Sequence, residues 1–254
     1  MNEIMIEADG PVLRVTFNRP EAHNAMTFAM YEGLVEACEL ADRDESIKVV
    51  VLRGGGGRAF VAGTDIRQFA GFDGPRGVAY EREIDATIGR LLAVTVPVVA
   101  AIDGPCVGGG LAVAAAADIR IAHPSSRFGY PIARTLGNTL SAGSYALTLR
   151  HFGHSRTIDM IVTARLLDAA QAEAAGFVTR IADDVTAELD SVVERILGHA
   201  PLTMAAGKEI LRRLHASASV VDVDDVVEQV YGSADFAAGA AAFATKTKPL
   251  WSGQ

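Results

Sequence analysis

The chain has 254 residues, half of them hydrophobic, with a formal net charge of -8 and a pI near 5.2. That is enough apolar material for one large core with a small appendage, and the acidic balance argues against a nucleic-acid footprint, in which basic residues cluster. Cys38 and Cys106 are too few for a disulfide framework and belong to no Cys-x-x-Cys pair; with no basic leader and no apolar run near the ~20 residues of a membrane span, the expectation is a soluble cytoplasmic protein.

In chain order, Val12-Leu-Arg-Val-Thr-Phe17 reads as a strand. Residues 27–41 read as a helix, with Met30, Leu34, Ala37 and Leu40 at helical spacing behind Thr27 as N-cap. Residues 47–52 return as a buried strand. Residues 71–77, rich in glycine, read as a flexible loop before a helix over 78–92, whose Ile84, Ile88, Leu91 and Leu92 share one face; together they could cover a pocket. Strands at 98–102 and 119–122 enclose a helix that begins near Gly109. From Ser141 onward the pattern is mainly helical, with a strand-like piece at 177–181, and the helices after Pro201 are expected to pack on a neighbouring subunit. The alternation predicts an α/β architecture, without internal repeat or long linker.

Two glycine turns carry the functional signal: Arg58-Ala-Phe-Val-Ala-Gly-Thr-Asp-Ile66, and Asp103-Gly-Pro-Cys-Val-Gly-Gly-Gly-Leu111 leading into an alanine run. Each stands where a strand gives way to a helical pattern, so unpaired N–H groups can meet a negative oxygen, and two such places could form one oxyanion hole. Other motifs fail. Gly54 to Gly57 lacks the Lys-Ser/Thr of a phosphate loop and reads as a mobile turn; the triplet Gly108 to Gly110 has Val113 where a dinucleotide fingerprint needs glycine. No nucleophile elbow or zinc helix occurs, and His151 with His154 reads as a helix-end or surface pair, so no metal is assigned.

These two turns, with Asn18-Arg-Pro-Glu-Ala-His-Asn-Ala25 and the C-terminal stretch from Ala242 to Gly253, resemble the enoyl-CoA hydratase/isomerase (crotonase) family. The resemblance implies a crotonase-like ββα superhelical spiral core over residues 1–200 and a C-terminal helical trimerisation region over 201–254. It implies a homotrimer or dimer of trimers, and an acyl-CoA substrate without a permanent cofactor, coenzyme A entering as part of the thioester. The N–H groups at Thr64 and Gly109 would hold the thioester oxygen as it becomes an enolate.

The family's hydratases carry two glutamates that this chain lacks: the first position is Ala112, and the second falls among Ile132, Ala133 and Arg134 after Phe128-Gly-Tyr-Pro131. Asp85 resembles in position the general-base histidine of the family's aromatic dehalogenases, and shares a helical stripe with Glu81; either is a candidate acid/base, against a plain reading as a solvated helix carboxylate. Ser141 stands where those dehalogenases have a nucleophilic aspartate, which disfavours dehalogenation. Thr64 occupies a position that is often alanine in hydratases and histidine in some decarboxylating relatives. Tyr130, Arg134, Thr135 and Asn138 add polar groups that suit a polar acyl group or a fixed water. For coenzyme A the resemblance points to Ala22, Ala62, Asp65, Ile66 and Arg67, with Phe243 and Lys246 closing the nucleotide site. The expected function is an acyl-CoA-processing lyase or isomerase that stabilises a thioester enolate. The alternatives are a catalytically silent acyl-CoA-binding homologue and a weak hydratase using substitute acid/base groups.

Overall fold

The structure is a computed structural model that describes residues 2–216 and 223–252. Strand β1 (Ile4–Asp9) pairs antiparallel with β2 (Val12–Phe17), and helix α1 (Phe28–Arg43) then leads to β3 (Val49–Gly54). A repeating step follows: β4 (Val61–Ala62), α2 (Gly74–Leu92) and β5 (Val98–Ile102); β6 (Pro105–Val107), α3 (Gly109–Ala116) and β7 (Ile119–Ala122); then β8 (Arg127–Gly129) and the short α4 (Ile132–Thr135). Helix α5 (Ala142–Val162), β9 (Leu167–Asp168), α6 (Ala169–Ala174), β10 (Arg180–Ile181) and α7 (Val185–Leu197) complete the core, and α8 (Pro201–Ala216), α9 (Asp224–Tyr231) and α10 (Ala234–Thr245) follow.

From β3 to β8 successive strands alternate between two sheets, one ordered β1-β2-β3-β5-β7-β10 and the other β4-β6-β8-β9. Every pairing is parallel except β1 with β2 and β8 with β9. Each turn of the chain therefore adds one strand to each sheet, and a helix: the expected ββα spiral.

The central strands β3 and β5 are almost wholly apolar because the large sheet is covered on both faces there. Val50, Leu52, Val98 and Ala100 point into the core shared with α1, α2 and α3. Their neighbours Val49, Val51, Val99 and Ala101 pack on Leu189, Val192 and Ile196 of α7.

Local signals held at several places. Thr27 caps α1 by accepting from the Met30 N–H, and α3 starts at Gly109. The strand expected at 47–52 begins at Val49, and that at 177–181 shrinks to Arg180–Ile181. The expected loop at 71–77 is corrected: α2 begins at Gly74, capped by Asp73. Its glycines serve close packing, since a Cβ on Gly74 would stand 2.6 Å from Glu228 Cγ and one on Gly77 2.1 Å from Tyr231 Cγ, both on α9. Nor is 54–57 a free turn: Gly54 closes β3, and a Cβ on Gly56 would meet Pro20 at 2.6 Å. His151 and His154 are no pair. His151 turns inward to donate from Nε2 to the Ala115 carbonyl at 3.0 Å, held down to about 4 mainly by burial, whereas His154 is exposed. Among the described residues no helix is long and apolar enough to cross a membrane, and no acidic, histidine or cysteine cluster could hold a metal ion.

Candidate active site

The parallel pairing of β4 with β6 brings the two glycine turns together. Ala62 is the register partner of Val107, so the next residues, Gly63 and Gly108, and the ones after, Thr64 and Gly109, stand opposite each other. Gly63 (φ +96°) and Gly108 (φ +55°) both adopt the left-handed backbone that glycine takes without strain. A Cβ on Gly108 would lie 3.3 Å from the Gly63 Cα. After this bend Met26 donates to the Gly63 carbonyl and Asp65 donates to that of Met26, which leaves the Thr64 N–H without an acceptor among the described residues. Gly109 is the first residue of α3, where an N–H has no partner within its own helix. Among the described residues neither amide has an acceptor, and the two donors stand at matched positions.

Thr64 and Gly109 both line a cavity of about 100 Å³, walled among others by Ala62, Ile66, Ile84, Val107, Ala112, Ile132 and Leu140. Its polar groups come from Thr64, Tyr80, Glu81, Tyr130, Thr135, Asn138 and Ser144. Glu81 is the only carboxylate on its wall among the described residues. The Tyr231 hydroxyl donates to Glu81 Oε1 at 2.7 Å and the Ser141 N–H to Oε2 at 2.8 Å. Asn138 Nδ2 donates in turn to the Tyr231 hydroxyl at 3.2 Å. Burial pushes the Glu81 carboxyl up to about 7 against the pull of those two donors.

Asp85, one turn further along α2, does not line the cavity. It accepts from the Ser141 hydroxyl and from the Gly143 N–H, and burial raises its pKa. Ser141 meanwhile accepts from the Ser144 N–H as N-cap of α5. The N-terminus of α5 thus rests on both carboxylates, Glu81 reaching it from the cavity side. Arg134 is exposed, while Tyr130 is buried and receives a long hydrogen bond, 3.4 Å, from the Thr148 hydroxyl.

Of the groups expected at a coenzyme A end, Ala62 and Ile66 line the cavity, and Ala62 donates to the carbonyl of His23, the residue after Ala22. This corner is tied by buried Asn24, whose Oδ1 accepts from the Arg19 N–H and whose Nδ2 donates to the Gly55 and Ala59 carbonyls. Asp65 is buried between Arg67 and Arg19, and the Arg67 hydrogen bonds above all hold its carboxyl down to about 2. It locks the loop, and Arg67 spends part of its guanidinium there while staying largely exposed. Phe243 and Lys246 lie at the exposed end of α10, the helix that packs on the turn Ile66–Phe69 through Phe236 against Phe69.

Sequence reasoning missed Tyr31, Tyr80 and Tyr231. Tyr31 and Tyr80 both bond the Thr64 hydroxyl. The adjacency of Tyr80 to Glu81 was a usable signal for one of them, whereas nothing local marks Tyr231, which reaches Glu81 from α9.

Comparison with known proteins gives one family. A family model described as enoyl-CoA hydratase/isomerase matches residues 7–254. The chain is 31% identical over 251 residues to a Mycobacterium tuberculosis protein named "Probable enoyl-CoA hydratase echA8", covering 97% of this chain and 96% of that one. It is 32% identical over 223 residues to the 2,3-dehydroadipyl-CoA hydratase of Escherichia coli, covering 84% and 83%. The crystal structure of an enoyl-CoA hydratase/carnithine racemase from Magnetospirillum magneticum superposes with a TM-score of 0.81 at 34% identity, over 100% of this chain and 97% of that one.

Proposed function

The chain belongs to the enoyl-CoA hydratase/isomerase family, and within it we propose an enzyme that holds the thioester oxygen of a short acyl-CoA between the N–H groups of Thr64 and Gly109, while Glu81 moves a proton on the acyl chain. The observation that carries this reading is the pair of unpaired amides at matched positions on one cavity wall. Such donors act where charge develops: the α-carbon of a thioester loses a proton only if the enolate oxygen is stabilised, and losing one preorganised donor typically costs about 10²–10³ in kcat.

Glu81 supplies the acid/base group. A carboxyl brought up to about 7 is matched to proton transfer near neutral pH. Its presence on the wall favours chemistry over a silent binding protein. Ala112 and Ile132 occupy the wall where the hydratases' two glutamates are expected, so Glu81 has no carboxylate partner there. One such group suffices to take a proton from the carbon next to the thioester and return it two carbons further on, shifting a double bond. Hydration asks for a second group to hold and deprotonate water. The proposed reaction is therefore isomerisation of a 3-enoyl-CoA to a 2-enoyl-CoA. The cavity is smaller than the ~150 Å³ hole that admits benzene, which suits a short acyl group.

For the coenzyme A end we keep the backbone about Ala22, Ala62, Asp65 and Ile66, with the exposed Arg67, Phe243 and Lys246 toward the nucleotide. We further propose a homotrimer or dimer of trimers that uses the C-terminal region 201–254. Its support is α8, where Leu202 is 84% exposed and Ile210 and Leu211 exceed half. The buried, unpaired Cys38 and Cys106 support a reducing, cytoplasmic setting. The test is a comparison of 3-butenoyl-CoA isomerisation with crotonyl-CoA hydration: isomerisation should dominate, vanish in Glu81→Gln and survive Asp85→Asn. Robust hydration unaffected by Glu81→Gln would overturn the assignment.

A further inference from the structure

Beside the two amides stands a group of three hydroxyls that the reading above leaves unused. Thr64 Oγ1 lies 2.8 Å from the Tyr31 hydroxyl and 2.9 Å from that of Tyr80. The phenols come from α1 and α2, so two helices converge on one threonine. None of the three oxygens bonds a carboxylate, carbonyl or amide of the described residues, and their partners are one another. Burial pushes Tyr31 up to about 12 and Tyr80 well above the ordinary tyrosine range, so both keep their protons. Two hydrogen bonds use two of three hydroxyl protons, and apart from the other phenol the third has no acceptor among the described residues.

The cluster is placed against both amides. Thr64 carries one of them. A Cβ on Gly109 would stand 2.1 Å from the Tyr31 hydroxyl and 3.1 Å from Thr64 Oγ1, so the hydroxyls press directly on the residue that carries the other. Thr64 and Tyr80 line the cavity and Tyr31 backs them. We propose that the Tyr80 hydroxyl is a third hydrogen-bond donor to the thioester oxygen, aligned through Thr64 by Tyr31. This rests on the placement of that oxygen between the two amides and adds to it. A hydroxyl bond to a developing enolate strengthens as charge builds, so it favours the transition state over the bound substrate, and the chain Tyr31, Thr64, Tyr80 polarises each link.

The experiment is infrared spectroscopy of bound butanoyl-CoA labelled with carbon-13 at the thioester carbonyl, a saturated probe with no double bond to shift. In the wild type the carbonyl band should fall below that of the free thioester. Tyr80→Phe and Thr64→Val should each return it part of the way, Tyr31→Phe by less, and Thr64→Ser should keep the wild-type frequency. In turnover of 3-butenoyl-CoA, Tyr80→Phe should lower kcat by ~10²-fold with little change in KM. A wild-type shift that survives in Tyr80→Phe and Thr64→Val would overturn the third donor and leave the amides standing. A wild type that binds the probe without any shift, or does not bind it, would overturn the amide placement and the third donor together.

Discussion

Glu81→Gln removes the one carboxylate on the cavity wall among the described residues while keeping its size, and the structure sets the sign and scale of the result. Burial raises the Glu81 carboxyl from 4.5 to about 7, so between those values the folded state holds a proton that the unfolded chain releases. Stability therefore falls as pH rises through that window, and is fully present only below the unfolded value. At 1.36 kcal/mol per unit the difference amounts to ~3 kcal/mol, or roughly 6 to 12 °C in Tm for a chain of this size. Glutamine cannot ionise. Near pH 5 the two proteins should be similarly stable, and near pH 8 the variant should be the more stable by about that amount, although it has lost turnover. Urea unfolding at a series of pH values measures the difference, and kcat/KM of the wild type should rise with pH to a plateau above about 7 as the base ionises. A stability difference that stays flat from pH 5 to 8 would refute the net cost of burying this carboxylate and with it the assignment of Glu81 as the base.

Gly109→Ala should lose ~1–3 kcal/mol by overlap with the Tyr31 hydroxyl, although alanine is the better helix former. Tyr31→Phe leaves the ring carbon at 3.5 Å and should restore most of the loss; additive effects in a double-mutant cycle of urea unfolding would contradict the contact. Gly109→Pro made in the Tyr31→Phe background deletes the N–H and should abolish turnover of 3-butenoyl-CoA, and a folded double variant as active as Tyr31→Phe alone would sink the oxyanion hole. Ser141→Ala removes the cap of α5 and should cost ~1 kcal/mol in unfolding free energy while the pH profile of kcat/KM keeps its midpoint; a displaced midpoint would give Ser141 a part in the chemistry. Light scattering at micromolar concentration should report a trimer or hexamer, and aspartate at Leu202 and Ile210 together should yield monomers; a monomeric wild type would contradict the role given to α8.

What could be read from the sequence was local. Buried parallel strands demand contiguous apolar runs, so Val98–Ile102 was visible as such, and Ile119–Ala122 was visible with Arg120 as its one interruption. The bends at Gly63 and Gly108 need a left-handed backbone, and glycine announces it. Unreadable features were set by distant partners. Gly74 and Gly77 looked like loop because the helix that needs them small, α9, lies far along the chain. Glu81 and Asp85 share one helical stripe, and periodicity could not tell that one reaches the cavity while the other holds Ser141, the cap of α5. The apolar residues Phe177 and Val178 resembled a strand, yet they are core residues without a ladder of their own. The three tyrosines carry no motif, and only the fold brings Tyr31 and Tyr80 to Thr64.

The central claim, that the Thr64 and Gly109 amides receive a thioester oxygen, is tested most directly by a crystal structure of the protein with butanoyl-CoA. The account predicts the carbonyl oxygen about 2.7–3.1 Å from both nitrogens, with the acyl chain running past Glu81 and Ala112. A thioester bound elsewhere, or in this cavity with its oxygen turned away from either amide, would contradict it.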